Sequence, residues 1–301
     1  MVVVPRLQAS TRATRPSTGS RGARTAYDVG HGAGRDGEGP AYGVAMSTAL
    51  VTGATAGIGR EFAVQLAARG DDLVLVAREV TRLEALADEL RARHGVEVEV
   101  LPADLTDREA MGRVAERVGS VERPVDLLVN NAGFSLKGAF LDHNIADEEA
   151  QFDVLARAVL VLSHAAGRAM RDRGRGAIVN VSSVASFIAS GTYSADKAFV
   201  TVFSEGLAAE LAGSGVTVTA LCPGFTHTEF HERADVDMSR LPEFVWLDAP
   251  RLVRDALADV AKGKVVSVPS PLYKVAVAAA RLAPRPLVRA VSKGAHRPSA
   301  G

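Results

Sequence analysis

The chain has 301 residues, and Lys plus Arg equals Asp plus Glu at 35 each, so its formal net charge is zero. That balance speaks against nucleic acid or any strongly charged partner. Hydrophobic residues at 47% and charged residues at 23% are the proportions of a globular protein, and the length suffices for one large α/β domain with a full core.

Residues 1–45 differ in composition from the rest. Arg6, Arg12, Arg15, Arg21 and Arg24 are scattered among Ser, Thr, Gly and Ala without a hydrophobic period. Such a segment buries too little apolar area to offset its ordering entropy, so a disordered extension is expected. An Arg-rich stretch without acids before Asp28 fits an organellar transit peptide. A start at Met46 is the preferred reading, because the segment shows no apolar helical face and Met46-Ser47 leads straight into a strand.

From Thr48 onward strands and helices alternate. Strands are expected at Thr48–Val51, Leu73–Ala77, Glu97–Leu101, Leu127–Asn130, Ala177–Val181, Val216–Leu221 and Val265–Val268. Helices are expected at Ile58–Ala68 (stopped by Gly70), Thr81–Arg93, Asp107–Arg117, Tyr193–Leu211 and Arg251–Ala261, with one long helix over Asp147–Arg171. Continuous apolar runs such as Leu73–Ala77 belong to strands covered on both faces. The series therefore predicts a doubly wound, mostly parallel, Rossmann-like sheet in a single domain over residues 46–270. Ligands bind such sheets at the carboxyl ends of the strands.

A helical tail is expected over residues 271–301. Its apolar run, Leu272–Leu282, is too short to span a bilayer and is closed by Arg281, Pro284 and Arg285. Internal packing is preferred there to an interfacial helix, so membrane contact is not the favoured reading. The single cysteine, Cys222, cannot form an internal disulfide, which suits a reducing, cytoplasmic compartment, and it is read as core packing. His227 and His231 have no metal-ligand spacing and no metal is expected.

The chemistry is carried by motifs at strand ends. Gly53, Gly57 and Gly59, with Thr55 and Ile58 among them, follow the first strand and open a helix. Glycine permits a tight turn and close approach of backbone to a pyrophosphate, and the helix N-terminus supplies free N–H groups. Further on, Tyr193 and Lys197 stand one helical turn apart, behind a strand that ends at Ser183. A cation on the same helix face as a phenol favours the phenolate, and a tyrosine so tuned can exchange a proton with a carbonyl or alcohol oxygen.

These motifs, with Asp104-Leu105, Asn130 to Gly133 and Pro223-Gly224, stand in the order of the short-chain dehydrogenase/reductase superfamily, which the chain resembles from Ala49 to about Val268. The resemblance implies a nicotinamide-dependent oxidoreductase for a ketone/secondary alcohol pair, reduction being the expected direction. It implies Tyr193 as acid/base, Lys197 as its tuner and a ribose ligand, and Ser183 as the group that orients substrate. Asp104 and Leu105 would lie at the adenine and Asn131, Ala132 and Gly133 along the cofactor. Pro223, Gly224, Thr226 and Thr228 would lie toward the nicotinamide. Where NAD-users of the family carry an acid, this chain has Ala77, followed by Arg78, whose guanidinium suits a 2′-phosphate. NADP(H) is therefore favoured over NAD, although Ala56 stands where some NADP-users carry a basic residue.

One departure is plain. Leu155 falls where the family usually has an Asn that holds a relay water, and no Asn occurs between Ile145 and Val179. The relay must then be built differently, or the lysine must reach solvent. The segment 225–247 matches the family's mobile substrate lid and carries Phe225, Phe230, Met238, Phe244, Val245 and Trp246, which points to an apolar or acyl-type carbonyl substrate. A homodimer or homotetramer is expected. Two other readings are a cofactor-binding regulator with vestigial catalysis, and a membrane-surface reductase of acyl chains anchored by its tail.

Overall fold

Side chains alternate across a strand, so every second residue feeds one face of the sheet. Here Ala49, Val51, Leu73, Leu75, Val129 and Val179 enter one apolar core, while Leu50, Val74, Val76, Leu128 and Ile178 enter the other. Both faces are covered, which is why the strands read as unbroken apolar runs. The computed structural model describes residues 47–228 and 242–294, all within the unit Val44–Gly301. The expected extension over residues 1–45, the lid residues 229–241 and the tail beyond 294 lie outside the described residues.

The strands are β1 (Thr48–Thr52), β2 (Asp72–Ala77), β3 (Val98–Pro102), β4 (Leu127–Asn130), β5 (Gly176–Val181), β6 (Val216–Leu221) and β7 (Val266–Ser267). They form one parallel, seven-stranded sheet in the order β3-β2-β1-β4-β5-β6-β7. The order reverses between β1 and β4, which opens a crevice at their carboxyl ends. The expected four-residue last strand shrinks to two, because only Val266 and Ser267 pair with β6.

The helices are α1 (Gly57–Ala67), α2 (Val80–His94), α3 (Arg108–Val118), α4 (Ile145–Phe152), α5 (Ala158–Arg173), α6 (Gly191–Glu210), α7 (Ala249–Ala261), α8 (Pro271–Leu282) and α9 (Arg285–Gly294). The single long helix expected over 147–171 is instead α4 and α5 joined by a π-turn over Asp153–Arg157. That wide turn contains Leu155. Such bulges inside helices frequently mark functional positions.

A buried polar chain crosses the middle of the sheet. Asn130 and Asn180 are register partners on β4 and β5, and Asn130 Nδ2 donates to Asn180 Oδ1 at 2.8 Å. Asn130 Nδ2 also reaches Ser163 Oγ of α5 at 3.1 Å, and Asn180 Nδ2 reaches Ser204 Oγ of α6 at 2.9 Å. Ser204 Oγ in turn donates to Val200 O at 2.7 Å. Each buried amide thus finds a partner, as a buried polar group must.

Candidate active site

The glycines at the end of β1 each answer a different steric demand. Gly53 has φ +65°, and a Cβ there would lie 2.9 Å from Ala132 Cα. A Cβ on Gly59 would lie 2.2 Å from Gly53 O. On Gly57, at φ +53°, it would meet the Thr228 side chain at 3.0 Å. Thr228 is thereby brought from beyond β6 to the glycine turn. Asn131 Nδ2 donates to Thr52 O at 2.9 Å and Gly53 O at 3.3 Å. Thr52 Oγ1 accepts from Asn131 N at 2.9 Å and Ala132 N at 3.0 Å. Thr52, the first residue of the glycine motif, is thus the clasp between β1 and β4.

The N-terminus of α1 points into this crevice without a side-chain cap or a first-turn acid. By contrast Asp107 caps α3 by accepting from Ala110 N, and Asp248 caps α7 by accepting from Arg251 N. The cradle a Cβ would fill and the uncapped amides together fit a dinucleotide pyrophosphate.

At the end of β2 Arg78 is exposed, and Arg82, in the first turn of α2, donates from Nη2 to Thr55 O at 3.2 Å. The sequence reading missed Arg82, which stands just inside the helix that follows β2. Asp104, at the end of β3, accepts at Oδ1 from Thr106 N at 3.0 Å and Thr106 Oγ1 at 2.8 Å. The Leu105 side chain is buried in the second core, so only its backbone remains for the site.

Ser183, Tyr193 and Lys197 converge where β5 ends and α6 begins. Ser183 Oγ accepts from Ala185 N at 3.1 Å, and its side chain hydrogen-bonds the Tyr193 hydroxyl. Lys197 is buried, its Nζ donates to Val181 O at 2.8 Å, and Nζ lies 5.7 Å from the centre of the Tyr193 ring. Burial pushes Tyr193 up to about 12, and the charge of Asp196 adds to it, against the Ser183 hydrogen bond. Burial brings Lys197 down to about 8, while the charge of Asp196 works the other way. A half-buried phenol that holds its proton thus stands beside a buried amine whose pKa burial lowers.

Direct access of the lysine to solvent is also corrected. Lys197 is only 5% exposed, and Leu155 Cδ2 lies within 2.8 Å of where a Cβ on Gly133 would stand, with Lys197 Nζ at 3.9 Å. Leu155 thus packs an apolar methyl into the neighbourhood of the amine.

On the adjoining face of α6 an unanticipated polar group gathers. Gln151 Nε2 donates to Asp196 Oδ2 at 3.2 Å and Thr192 Oγ1 at 3.3 Å, while its Oε1 accepts from Leu136 N at 3.0 Å. Burial pushes Asp196 up to about 6. His143 lies between two acceptors, Glu148 Oε1 at 2.7 Å and Lys137 O at 2.8 Å, and the Glu148 bond first, then the carbonyl, raises its pKa. Asp196, Thr192 and Glu148 line a cavity of about 440 Å³ with Phe140, Ile145 and Phe152. The acid beside Lys197 was the visible signal; its partners on α4 were not.

The two described ends of segment 225–247, the expected lid, are tied together. Leu247 N donates to Phe225 O at 2.8 Å and His227 N to Leu247 O at 3.0 Å. The Trp246 ring stacks on His227 at 4.6 Å and tilts against Phe225 at 5.9 Å. Thr226 is buried and its Oγ1 donates to Gly224 O at 3.0 Å, while Pro223 O accepts from Val184 N at 3.0 Å. Tyr273 of α8 accepts at its hydroxyl from Phe225 N at 3.2 Å and donates to Val245 O at 2.8 Å. Its ring occupies the space a Cβ on Gly224 would need, 2.0 Å away. Nothing in the sequence marked Tyr273. Cys222 is buried, and among the described residues no three His, Cys, Asp or Glu side chains could hold a metal ion.

Residues 47–238 match the family model described as short chain dehydrogenase, and the chain belongs to that family. A short-chain dehydrogenase from Sphingobium yanoikuyae, solved in complex with NADPH, superposes with a TM-score of 0.72 at 36% identity over 85% of this chain and 98% of that one. The galactitol 2-dehydrogenase (L-tagatose-forming) of Cereibacter sphaeroides is 39% identical over 66% of this chain and 78% of its own length. The very-long-chain 3-oxoacyl-CoA reductase of Anas platyrhynchos is 35% identical over 72% of this chain and 70% of its own. The protein is an NAD(P)-dependent oxidoreductase acting on ketones or alcohols. The names of these two relatives range from a polyol to a long acyl thioester, so the finer specificity has to be argued from this chain's own residues.

Proposed function

We propose that the protein is an NADP(H)-dependent reductase of ketones that carry apolar or acyl-type substituents. The observation that carries the reading is the convergence of Ser183, Tyr193 and Lys197 beside the glycine cradle. The nicotinamide, when bound, supplies hydride to the carbonyl carbon. Tyr193, holding its proton in the enclosed site, donates it to the carbonyl oxygen as the alkoxide forms. Ser183 hydrogen-bonds the same oxygen and fixes its direction. Lys197 offsets the phenolate left behind and binds ribose hydroxyls. Asn131, Ala132 and Gly133 line the cofactor, Asp104 and the Leu105 backbone lie at the adenine, and Pro223, Gly224, Thr226 and Thr228 shape the nicotinamide end.

NADP is favoured by the exposed Arg78 at the end of β2, where no acid stands, and by Arg82 beside the same turn. The apolar substrate class is supported by Phe225 and Trp246 at the lid stem. Assembly through α5 and α6 is supported by exposed apolar residues there, Leu160, Phe199 and Val202 at 44%, 37% and 67% exposure.

The test is a titration of NADPH and NADH separately against Trp246 fluorescence, followed by turnover of a ketone series of rising chain length. Tighter NADPH binding, with kcat/KM rising along the series, is expected. Equal binding of both nucleotides, or preference for polyols, sinks the corresponding half of the reading.

A further inference from the structure

The helix α8 is apolar on two faces, and the fold uses one. Tyr273 and Val277, one turn apart, are buried. A second row, Leu272, Val275, Ala276, Ala279 and Leu282, follows helical spacing on a separate face. That row is exposed, with Leu272 at 44%, Val275 at 72% and Leu282 at 86%. Leu287 of α9 adds another exposed side chain at 56%.

The sequence that carries this row has charge of one sign. No Asp or Glu stands among residues 260–301, while Lys262, Lys264, Lys274, Arg281, Arg285, Arg289, Lys293 and Arg297 do. In a chain of zero net charge that is a marked asymmetry. Of these, Arg281 is held at 3.1 Å by Glu205 of α6 and lies 4.9 Å over the Phe187 ring. Lys274, Arg285 and Arg289 are exposed.

We propose that α8 and α9 form a docking surface for an anionic lipid bilayer, lying flat on it with the Leu272–Leu282 row in the acyl boundary and the cations at the headgroups. An exposed apolar stripe with basic flanks is the pattern of an interfacial helix. Among the described residues no helix is long and apolar enough to cross a membrane, so the contact is peripheral. A second copy is a poorer occupant: a two-fold interface through this surface would set Lys274, Arg285 and Arg289 near their own copies, with no acid from the same stretch to meet them.

The surface is wired to the two ends of segment 225–247. Tyr273, on the inner face of α8, bonds Phe225 N and Val245 O at the two ends of the lid segment. A bilayer against the outer face of α8 would therefore lie on the helix whose inner face holds Phe225 and Val245. The docking itself does not depend on the substrate reading.

The experiment is co-sedimentation of the full chain with vesicles of phosphatidylcholine alone or with roughly 30 mol% phosphatidylglycerol. Binding to the anionic vesicles, weak binding to the neutral ones and release by salt are expected. Both Arg285→Glu/Arg289→Glu and Val275→Glu/Leu282→Glu should weaken binding by about tenfold or more, with NADPH-dependent turnover of a water-soluble ketone unchanged. Failure of the folded protein to bind anionic vesicles overturns the proposal, as does binding that both variants leave intact. A fall in oligomer size on Val275→Glu/Leu282→Glu, with vesicle binding retained, overturns it in favour of a contact between copies.

Discussion

The two halves of the crevice are built from different materials. On the β1–β4 side the site is mostly backbone: glycines admitted where a Cβ would strike Gly53 O or Ala132, an uncapped helix end, and carbonyls held by Asn131. On the β5–β6 side it is side chain: a phenol and an amine on α6 and a hydroxyl just beyond β5, with the ends of segment 225–247 hung on Tyr273 of α8. The first half suits a reagent whose shape does not vary between relatives. The second changes its chemistry by substitution without disturbing the sheet.

Substitutions can break this contrast. Tyr193→Phe should lower kcat by roughly a thousandfold and leave NADPH affinity within about twofold, measured by steady-state kinetics and fluorescence titration. A loss of binding instead would mean that the halves are not separable. Gly59→Ala should do the opposite. Its Cβ would meet Gly53 O at 2.2 Å, so a stability loss of about 2 kcal/mol and failure to bind either nucleotide are expected. Gly70→Ala is the control, with φ +88° and nothing within 4 Å: about 1 kcal/mol by denaturant unfolding and normal binding.

Arg78→Asp should weaken NADPH binding by about tenfold while NADH binding holds or improves. An unchanged NADPH KM would remove the phosphate assignment. Tyr273→Phe deletes the hydroxyl between Phe225 N and Val245 O, and a few-fold rise in ketone KM with a stability loss of about 1 kcal/mol is expected. A change in nucleotide affinity would count against the division.

The smallest effect concerns pH. The charge of Asp196 raises Lys197, whose value burial has brought to about 8. Activity that needs the ammonium is present below that value and fades as pH rises through it. Asp196→Asn should therefore move the basic limb of the kcat profile to lower pH. Lys197 also bears on stability. Its folded pKa lies below that of the unfolded chain, so the unfolded state binds more protons between about pH 8 and pH 10.4, and unfolding free energy should climb across that window. A flat profile there would contradict the burial of the amine.

The legibility of the two halves also differs. The strands and the glycine turn could be read because apolar runs and φ-permissive residues are local signals, and they sit as expected at β1, β2 and β4. The triad could be read because Tyr193 and Lys197 share one helix turn. Burial was not legible: a four-residue spacing says nothing of the surroundings that push Tyr193 up and Lys197 down. Nor was the π-turn at Leu155, since no local residue announces an extra residue in a helical turn. Partners far apart in sequence, such as Gln151 with Asp196 or Tyr273 with Val245, arise only once the sheet has set the helices side by side.

The amide chain through Asn130 and Asn180 has a bearing on how the sheet is assembled. The two strands it joins are separated by 50 positions and pair in parallel, an arrangement that forms slowly. Apolar runs alone tolerate a slip of two residues, because the same faces stay buried. A slipped β4 would strand two carboxamides in a dry interior without each other, and without Ser163 and Ser204 to receive them. The network therefore serves as a proofreading mark for strand alignment, and one carboxamide of that mark lies a single residue before the asparagine that clasps the glycine turn.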